Sequence, residues 1–369
     1  MLALCVDAGS SSCKFGVYRD DAEPVCVLNG ELPSGDSQVD LLAAILNHLT
    51  PDILQNLGAL GHRIVFGGLA YADPIVASEG VLSELEALVE IEPLHLRAEL
   101  DVVYSVTRRF PQLPQVLCFD TAFHRAMPSI AKRLPLPESS DPLLQRYGFH
   151  GLSYEYILSR LGLGTGRTIV AHLGSGASLC AIRDGKPVDT TMGFSALGGL
   201  MMATRPGDLD PGVILRLLRT SARSHAALSD LLYHSCGLIG VSSSSADIRV
   251  LLDDAARNAK ARDTVDLFLY QLLKHVGAMV AVLGGLDTLV FTGGIGEHQS
   301  LVRLQLCRRL AYLGCDVDEA ANDRNDAIIS TEKSAVEIHV IPTQENLVIA
   351  RHVFNLLRQT QPPPFRAAM

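Results

Sequence analysis

Two stretches of this chain share one plan, and that echo restricts the fold more than any other feature. Residues 4–18, LCVDAGSSSCKFGVY, read as strand, Gly-Ser turn, strand. Residues 169–183, IVAHLGSGASLCAIR, repeat the plan about 165 residues later, and Asp184-Gly185 then supplies a type I′ hairpin signal. Such copies point to a duplicated domain, each half opening on a β-hairpin with a glycine-serine turn. Two unrelated hairpins would read the same way, because such turns are common. The length of 369 residues fits two domains.

Around the echo, short β-rich runs alternate with helical patterns. Strands are expected at 2–6, 116–119, 168–172, 288–291 and 337–341, and helices at 41–49, 82–89, 226–233 and 264–283. That alternation makes the fold class α/β with substantially parallel sheets. Hydrophobic residues at 48% supply a sizeable core. A net charge of −9 repels a phosphodiester backbone, so no nucleic-acid partner is expected, although a small anion could still enter a locally positive cleft. The longest apolar run, 276–286, stops at Asp287, well short of the roughly 20 residues a bilayer span needs, so no membrane partner is expected either. The N-terminal MLALCVDAGSSS lacks a basic segment and turns polar within seven residues, unlike a signal peptide. Eight scattered cysteines, none in a C-x-x-C pair, read as reduced thiols of a cytoplasmic protein.

Three Gly-rich loops follow expected strands: DAGSSSCK at 7–14, HLGSGAS at 172–178 and FTGGIGE at 291–297. Glycine lets the backbone approach a ligand, and successive N–H groups can then form an anion nest. None is a Walker A loop and none is G-x-G-x-x-G, but three in one chain favour nucleotide phosphate. Asp7, at the end of the first strand, would meet phosphate badly without an intervening Mg2+; an Asx turn is the plainer alternative. Glu345, in IPTQENLVIA, reads equally as a metal-side carboxylate or as an acid in the first turn of a helix.

Taken together, the motifs resemble the acetate/propionate kinase family. They are DAGSSSCKF (7–15), GHRIVFGG (61–68), PLH (93–95), FDTAFHRAMP (119–128), RYGFHG (146–151), AHLGSGAS (171–178), DTTMGF (189–194), GLMMATRPGDLDP (199–211), GLIGVSSSSADIR (237–249), VFTGGIGE (290–297) and IPTQENLVIA (341–350). They run in family order over nearly the whole chain. The resemblance implies two duplicated actin-like (ribonuclease H-like) ATPase domains around a central cleft, residues 1–124 with 347–369 and residues 125–346. It also implies a phosphotransferase that moves the ATP γ-phosphoryl to acetate, giving acetyl phosphate and ADP, reversibly and by direct in-line attack. Propionate or another short-chain carboxylate is the alternative acceptor, and a catalytically weakened nucleotide-binding paralogue is a further one. A sugar kinase of the same superfamily would need a carboxylate base, for which Asp120 is the candidate. A homodimer is implied by resemblance alone.

A carboxylate substrate has a pKa of about 4–5, so it is already ionised at pH 7 and needs no base. The difficulty is electrostatic, and it calls for cations and fixed donors. By resemblance, Arg63 and Arg205 flank the carboxylate and the transferring phosphoryl, His150 donates to the phosphoryl in flight, and His95 and His172 support. Asp120 completes the catalytic set. Asp7 and Glu345, with Asp120, would order Mg2+, or Mn2+ in its place, and its waters. Ser10, Ser12, Lys14, Gly174, Ser175 and Gly176 would hold ATP or ADP through its phosphates. Asp247, Ile248 and Arg249 take the adenosine side, with Gly293, Gly294, Ile295 and Gly296 closing over base and ribose. Val65, Leu94, Phe149 and Ala196 would wall the acyl pocket.

The chain departs from the family pattern at several of these places. Asp7 and Ser175 stand where asparagines are usual, Phe66 replaces a histidine and Leu96 an asparagine. Leu152 and Tyr154 follow YGFHG in place of threonine and histidine. Ala196 replaces a proline of the acyl pocket, which should enlarge it, and Gly198 replaces an acid.

Overall fold

The computed structural model describes the chain except residues 10, 11, 34–40, 94, 138–140, 163, 165, 221–223 and 361–369. It divides into two compact units: Met1–Ala122 joined by the chain from Gln344 on, and Phe123–Thr343.

The first unit is built on a six-stranded sheet. Its strands are β1 (Leu2–Ala8), β2 (Ser12–Arg19), β3 (Val25–Pro33), β4 (Leu57–Ile64), β5 (Ile75–Val76) and β6 (Gln115–Phe119), in the order β3-β2-β1-β4-β6-β5. β1 and β2 form an antiparallel hairpin, while β4 runs parallel to both β1 and β6. Side chains alternate across a strand. Leu4, Val6 and Ala8 therefore join Phe15 and Val17 on one face, covered by Leu42, Ile45, Val102 and Val106 of two helices, Leu41–Leu46 and Leu96–Arg109. The opposite face carries Cys5, Asp7, Gly61 and Arg63. There the C-terminal helix, Glu345–Thr360, lies so close to β4 that a Cβ on Gly61 would fall 2.4 Å from Ile349 and 2.6 Å from Val353. The missing side chain is what lets this helix bring Glu345 towards Asp7 and Arg63.

The second unit repeats the arrangement. β7 (Arg167–Leu173), β8 (Ala177–Arg183), β9 (Lys186–Thr190), β10 (Thr288–Thr292) and β11 (Glu337–Val340) lie in the order β11-β10-β7-β8-β9. Again an antiparallel hairpin begins the sheet, here after the helices Ser129–Lys132 and Gly151–Leu161 rather than at the start of the unit, and two parallel strands extend the other side. Read from the far strand of the hairpin, β9-β8-β7-β10-β11 matches β3-β2-β1-β4-β6; β5 is an addition. Asp184 and Gly185 have φ of 51° and 76°, the positive values that the expected two-residue turn requires.

Three helices differ from expectation, the first of them, expected at 41–49, ending at Leu46. The pattern at 82–89 belongs to a helix at Glu79–Glu86, started by Ser78, whose side chain accepts the Val81 N–H. The helix expected at 264–283 spans Ala259–Leu283, capped by Asn258 and ended by Gly284 at φ 72°. It is long and apolar enough to cross a membrane by length and composition. Its stripe of Val265, Phe268, Leu269, Leu272, Val276 and Met279 is buried within the unit, and Arg262, Asp263, Asp266 and Lys274 are exposed. That is the pattern of a core helix.

Candidate active site

In the first unit, Arg63 stands among acids. Its Nε and Nη2 meet Asp120 Oδ2 at 2.9 and 2.7 Å, its Nη1 donates to Glu99 Oε1 at 3.0 Å, and Asp7 Oδ1 lies 3.5 Å from Nη1. The second Glu99 oxygen accepts the Val65 N–H at 2.7 Å. Burial works against the charge on Arg63, yet Asp120, Asp7, Glu99 and Glu345 outweigh it and hold the guanidinium well above its ordinary pKa. Burial pushes Glu99 up to about 8, opposed by Arg63 and the Val65 amide. Glu345 also rises to about 8, first through burial and then through repulsion from Asp7 and Asp120. One guanidinium therefore faces more negative charge than it can neutralise.

Among the described residues, no three His, Cys, Asp or Glu side chains gather into a cage for a metal ion. Mg2+ does not need one, because it commonly binds one or two carboxylates together with substrate phosphates and water. Asp7 and Glu345 fit that role: a divalent charge between them would relieve the repulsion that lifts Glu345. Lys14 stands opposite Asp7 in the β1–β2 strand register and is exposed. Ser12 Oγ donates to Glu31 at 2.5 Å. Ser10 and Leu94 lie outside the described residues. His95, buried, pairs with Glu92 at 2.9 Å at the start of the helix that carries Glu99.

The second unit places different chemistry on the equivalent hairpin. The β7–β8 turn is closed by the Gly174 N–H donating to Gly176 O at 2.9 Å, and Ser175 O accepts the Ala203 N–H at 3.2 Å. A Cβ on Gly176 would fall 2.7 Å from Arg205 Nη2 and 3.3 Å from His150 Nε2. Both donors thus converge on a backbone that only glycine leaves open. Arg205 is buried and held by the Ala196 carbonyl at 2.9 Å. His150 sits at φ 60° in the left-handed region, at the start of the helix Gly151–Leu161. Its ring stacks on His172 with centroids 4.2 Å apart.

Beside this turn lies the TGGIGE loop. Gly293, at φ 75°, would drive a Cβ to 2.8 Å from Leu173 O, so the two glycine loops pack backbone against backbone. Glu297 secures the second loop by accepting the N–H groups of Gly293 and Thr343 at 2.9 and 3.1 Å. Fully buried Arg303 donates to the carbonyls of Gly296 and Glu297 at 2.8 and 2.9 Å. A hairpin turn faced by a guanidinium and an imidazole, next to a second glycine loop, has the make-up of an anion site.

The family model described as the acetokinase family matches residues 27–351. The chain belongs to the acetokinase family. The acetate kinase of Rhodopseudomonas palustris is 40% identical over 390 aligned positions, covering 96% of this chain and 98% of its own. Among solved structures, the acetate kinase of Porphyromonas gingivalis matches with a TM-score of 0.83 at 30% identity, over 96% of this chain and 99% of its own. The propionate kinase of Francisella tularensis matches with a TM-score of 0.84 at 30% identity, over 95% and 98%.

Within this acetokinase fold, the remaining expected residues divide by environment. Asp247 and Arg249 pair with each other at the surface, Nη2 to Oδ2 at 2.6 Å, while the Ile248 side chain is buried in the core. Gly294 is exposed and Ile295 half-buried. Val65, Phe149 and Ala196 are all buried; the first belongs to one unit and the other two to the second. Sequence reading passed over Glu99, Glu92, Ser153, Ser178, Glu297 and Arg303. For Glu99 a signal existed: it shares the buried helical stripe of Leu96, Leu100 and Val103, where an acid needs a buried partner.

Proposed function

We propose that this acetokinase transfers the γ-phosphoryl of ATP to acetate, giving acetyl phosphate and ADP, and runs the reverse reaction. The observation that carries the reading is the convergence of Arg205 Nη2 and His150 Nε2 on Gly176. Two fixed donors at a phosphate-type turn can absorb the charge that develops on the equatorial oxygens. Asp120 supports a carboxylate acceptor over a sugar hydroxyl. It grips Arg63 through two contacts, which suits orientation of a guanidinium better than proton abstraction. Acetate is ionised at pH 7 and supplies its own nucleophilic oxygen.

Arg63 is proposed to hold the acyl carboxylate, and Arg205 with His150 the phosphoryl. Lys14, Ser12 and the Gly174–Gly176 turn would take the phosphates, and the Gly293–Gly296 loop with Asp247 and Arg249 the adenosine. Asp7 and Glu345 would hold Mg2+, which when bound neutralises phosphate charge. Propionate is a second acceptor, favoured by Ala196 in the acyl wall. Free thiols at all eight cysteines suit a cytoplasmic enzyme. Leu209, Val213, Leu215 and Leu218 are exposed on or beside the helix Pro211–Thr220 and favour a homodimer.

Hydroxylamine trapping of acyl phosphate from purified protein, ATP, Mg2+ and acetate, propionate or butyrate tests the proposal. Hydroxamate should form with acetate and with propionate. No hydroxamate with any acid would refute the reading.

A further inference from the structure

Arg303, fully buried near the start of the helix Ser300–Arg309, directs its whole guanidinium at uncharged oxygens. Nε donates to Asn322 Oδ1 at 2.8 Å. Nη1 donates to the carbonyls of Gly296 and Glu297 at 2.8 and 2.9 Å. Nη2 donates to the Asn322 carbonyl at 2.7 Å and to Asn325 Oδ1 at 2.6 Å. A guanidinium carries five N–H groups in a rigid fork, and these contacts engage every one of them.

The acceptors come from the ends of two short helices. Gly296 and Glu297 lie in the last turn of Gly293–His298, the TGGIGE segment, and Asn322 and Asn325 at the end of Glu319–Asp323 and just beyond it. Carbonyls at a helix end lack partners within the helix, and a cation that donates to them makes charge-assisted bonds. Asn322 is fixed in orientation: it is fully buried, and its Nδ2 donates to Ser300 O at 2.9 Å, which turns Oδ1 to Arg303. Asn325 stands at φ 57°, in the left-handed region. Glu297 holds the other end of the glycine loop through the N–H of Gly293, which packs against Leu173 O. The loop is thus gripped at both ends, by a carboxylate at Gly293 and by Arg303 at Gly296 and Glu297.

We infer that Arg303 is a positioning residue for the nucleotide: with Asn322 and Asn325 it holds the Gly293–Gly296 loop in its binding shape before adenosine arrives, and so sets affinity rather than turnover. This rests on the proposed role of that loop in holding adenosine. A loop already in order binds without an ordering cost, and one that keeps its competent shape a tenth of the time binds about tenfold more weakly. Lysine would keep the charge, but its three donors radiate from one point and do not reproduce the fork that joins the two helix ends.

Hydrogen exchange of the ligand-free protein and calorimetric titration with ADP test the inference. In Arg303→Lys the amides of residues 293–298 should exchange at least about tenfold faster than in wild type, while those of β7 stay protected. Its Kd for ADP and KM for ATP should rise about tenfold, with kcat and KM for acetate changed less than about threefold. A merely structural role would lower the melting temperature and the yield of active protein without moving KM for ATP. Asn325 is exposed, so changes there spare the core and decide the matter should Arg303→Lys fail to fold. Asn325→Gly, which tolerates the left-handed backbone but removes an acceptor, should raise Kd for ADP about threefold, and Asn325→Asp, which keeps the acceptor oxygen, should not. Unchanged exchange in Arg303→Lys overturns the clamp, and unchanged affinity for ADP in Asn325→Gly overturns the positioning role. Binding needs no turnover, so the expected loss of ADP affinity in a protein that forms no acyl phosphate would refute the phosphotransfer reading alone.

Discussion

The two units share a strand order but treat their arginines in opposite ways. Arg63 is ion-paired to Asp120 and Glu99, with Asp7 close by and Glu345 adding to the field. Arg205 is held by a backbone carbonyl and lies against a glycine turn beside two imidazoles. The same hairpin plan thus supports a charged cluster in one copy and, in the other, two stacked imidazoles with one arginine. Removing Arg63 would strand buried anions, whereas removing Arg205 would take a cation from a site made for an anion. A duplicated scaffold can therefore carry two different chemistries: one copy holds acids of the kind that suit a metal, the other groups of the kind that suit phosphate.

The largest effect expected from this contrast is on folding. Arg63→Ala should lower stability by about 3–5 kcal/mol, because a buried ion cluster loses its cation; urea unfolding that matches wild type would erase the contrast. Arg205→Ala should instead unfold near wild type while kcat falls by at least about 10²-fold, the cost of one charge-stabilising donor at roughly 2.7–4 kcal/mol. Steady-state turnover close to wild type would remove Arg205 from the site.

Glu99→Gln sharpens the picture of the first unit. It keeps the shape but weakens the grip on Arg63, and kcat/KM should fall by about tenfold or somewhat more, since a hydrogen bond to a charged group is worth roughly 1.5–3 kcal/mol. It should also alter the pH dependence of stability. Glu99 rises from 4.5 in the unfolded chain to about 8 when folded, so its stabilising contribution is complete below 4.5 and is lost as pH climbs through 8. The variant should lose less stability than wild type between pH 5 and pH 8, and parallel denaturation curves at both pH values would contradict this.

The smallest effect is expected at the acyl wall. Ala196→Pro should lower kcat/KM for propionate relative to acetate by about tenfold, because one methylene is worth only about 1–3 kcal/mol of discrimination. An unchanged ratio would take Ala196 out of the specificity argument.

Much of the architecture was legible from spacing. The repeated hairpin at 4–18 and 169–183, and the alternation of Leu4 and Val6 with Cys5 and Asp7, are local patterns with a fixed period. Helix ends were less legible. Ser78 and Asn258 start their helices by side-chain capping, a signal that apolar periodicity does not carry. Part of the site was hidden for a different reason. Ser178 reads as one more small residue of a buried strand until Tyr154, from a helix that precedes it, reaches its hydroxyl. Arg303 and Glu297 likewise matter for loops they approach only after folding.

The order of residues alone determined the α/β class, the doubled hairpin, the glycine turns and the acetokinase resemblance, because each depends on neighbours along the chain. Which groups share charge or a proton was decided only by tertiary structure. Arg63 meets Glu99 across 36 residues and His150 meets Ser178 across 28. Electrostatic and hydrogen-bonding energies depend on distances in space, to which a one-dimensional pattern has no access.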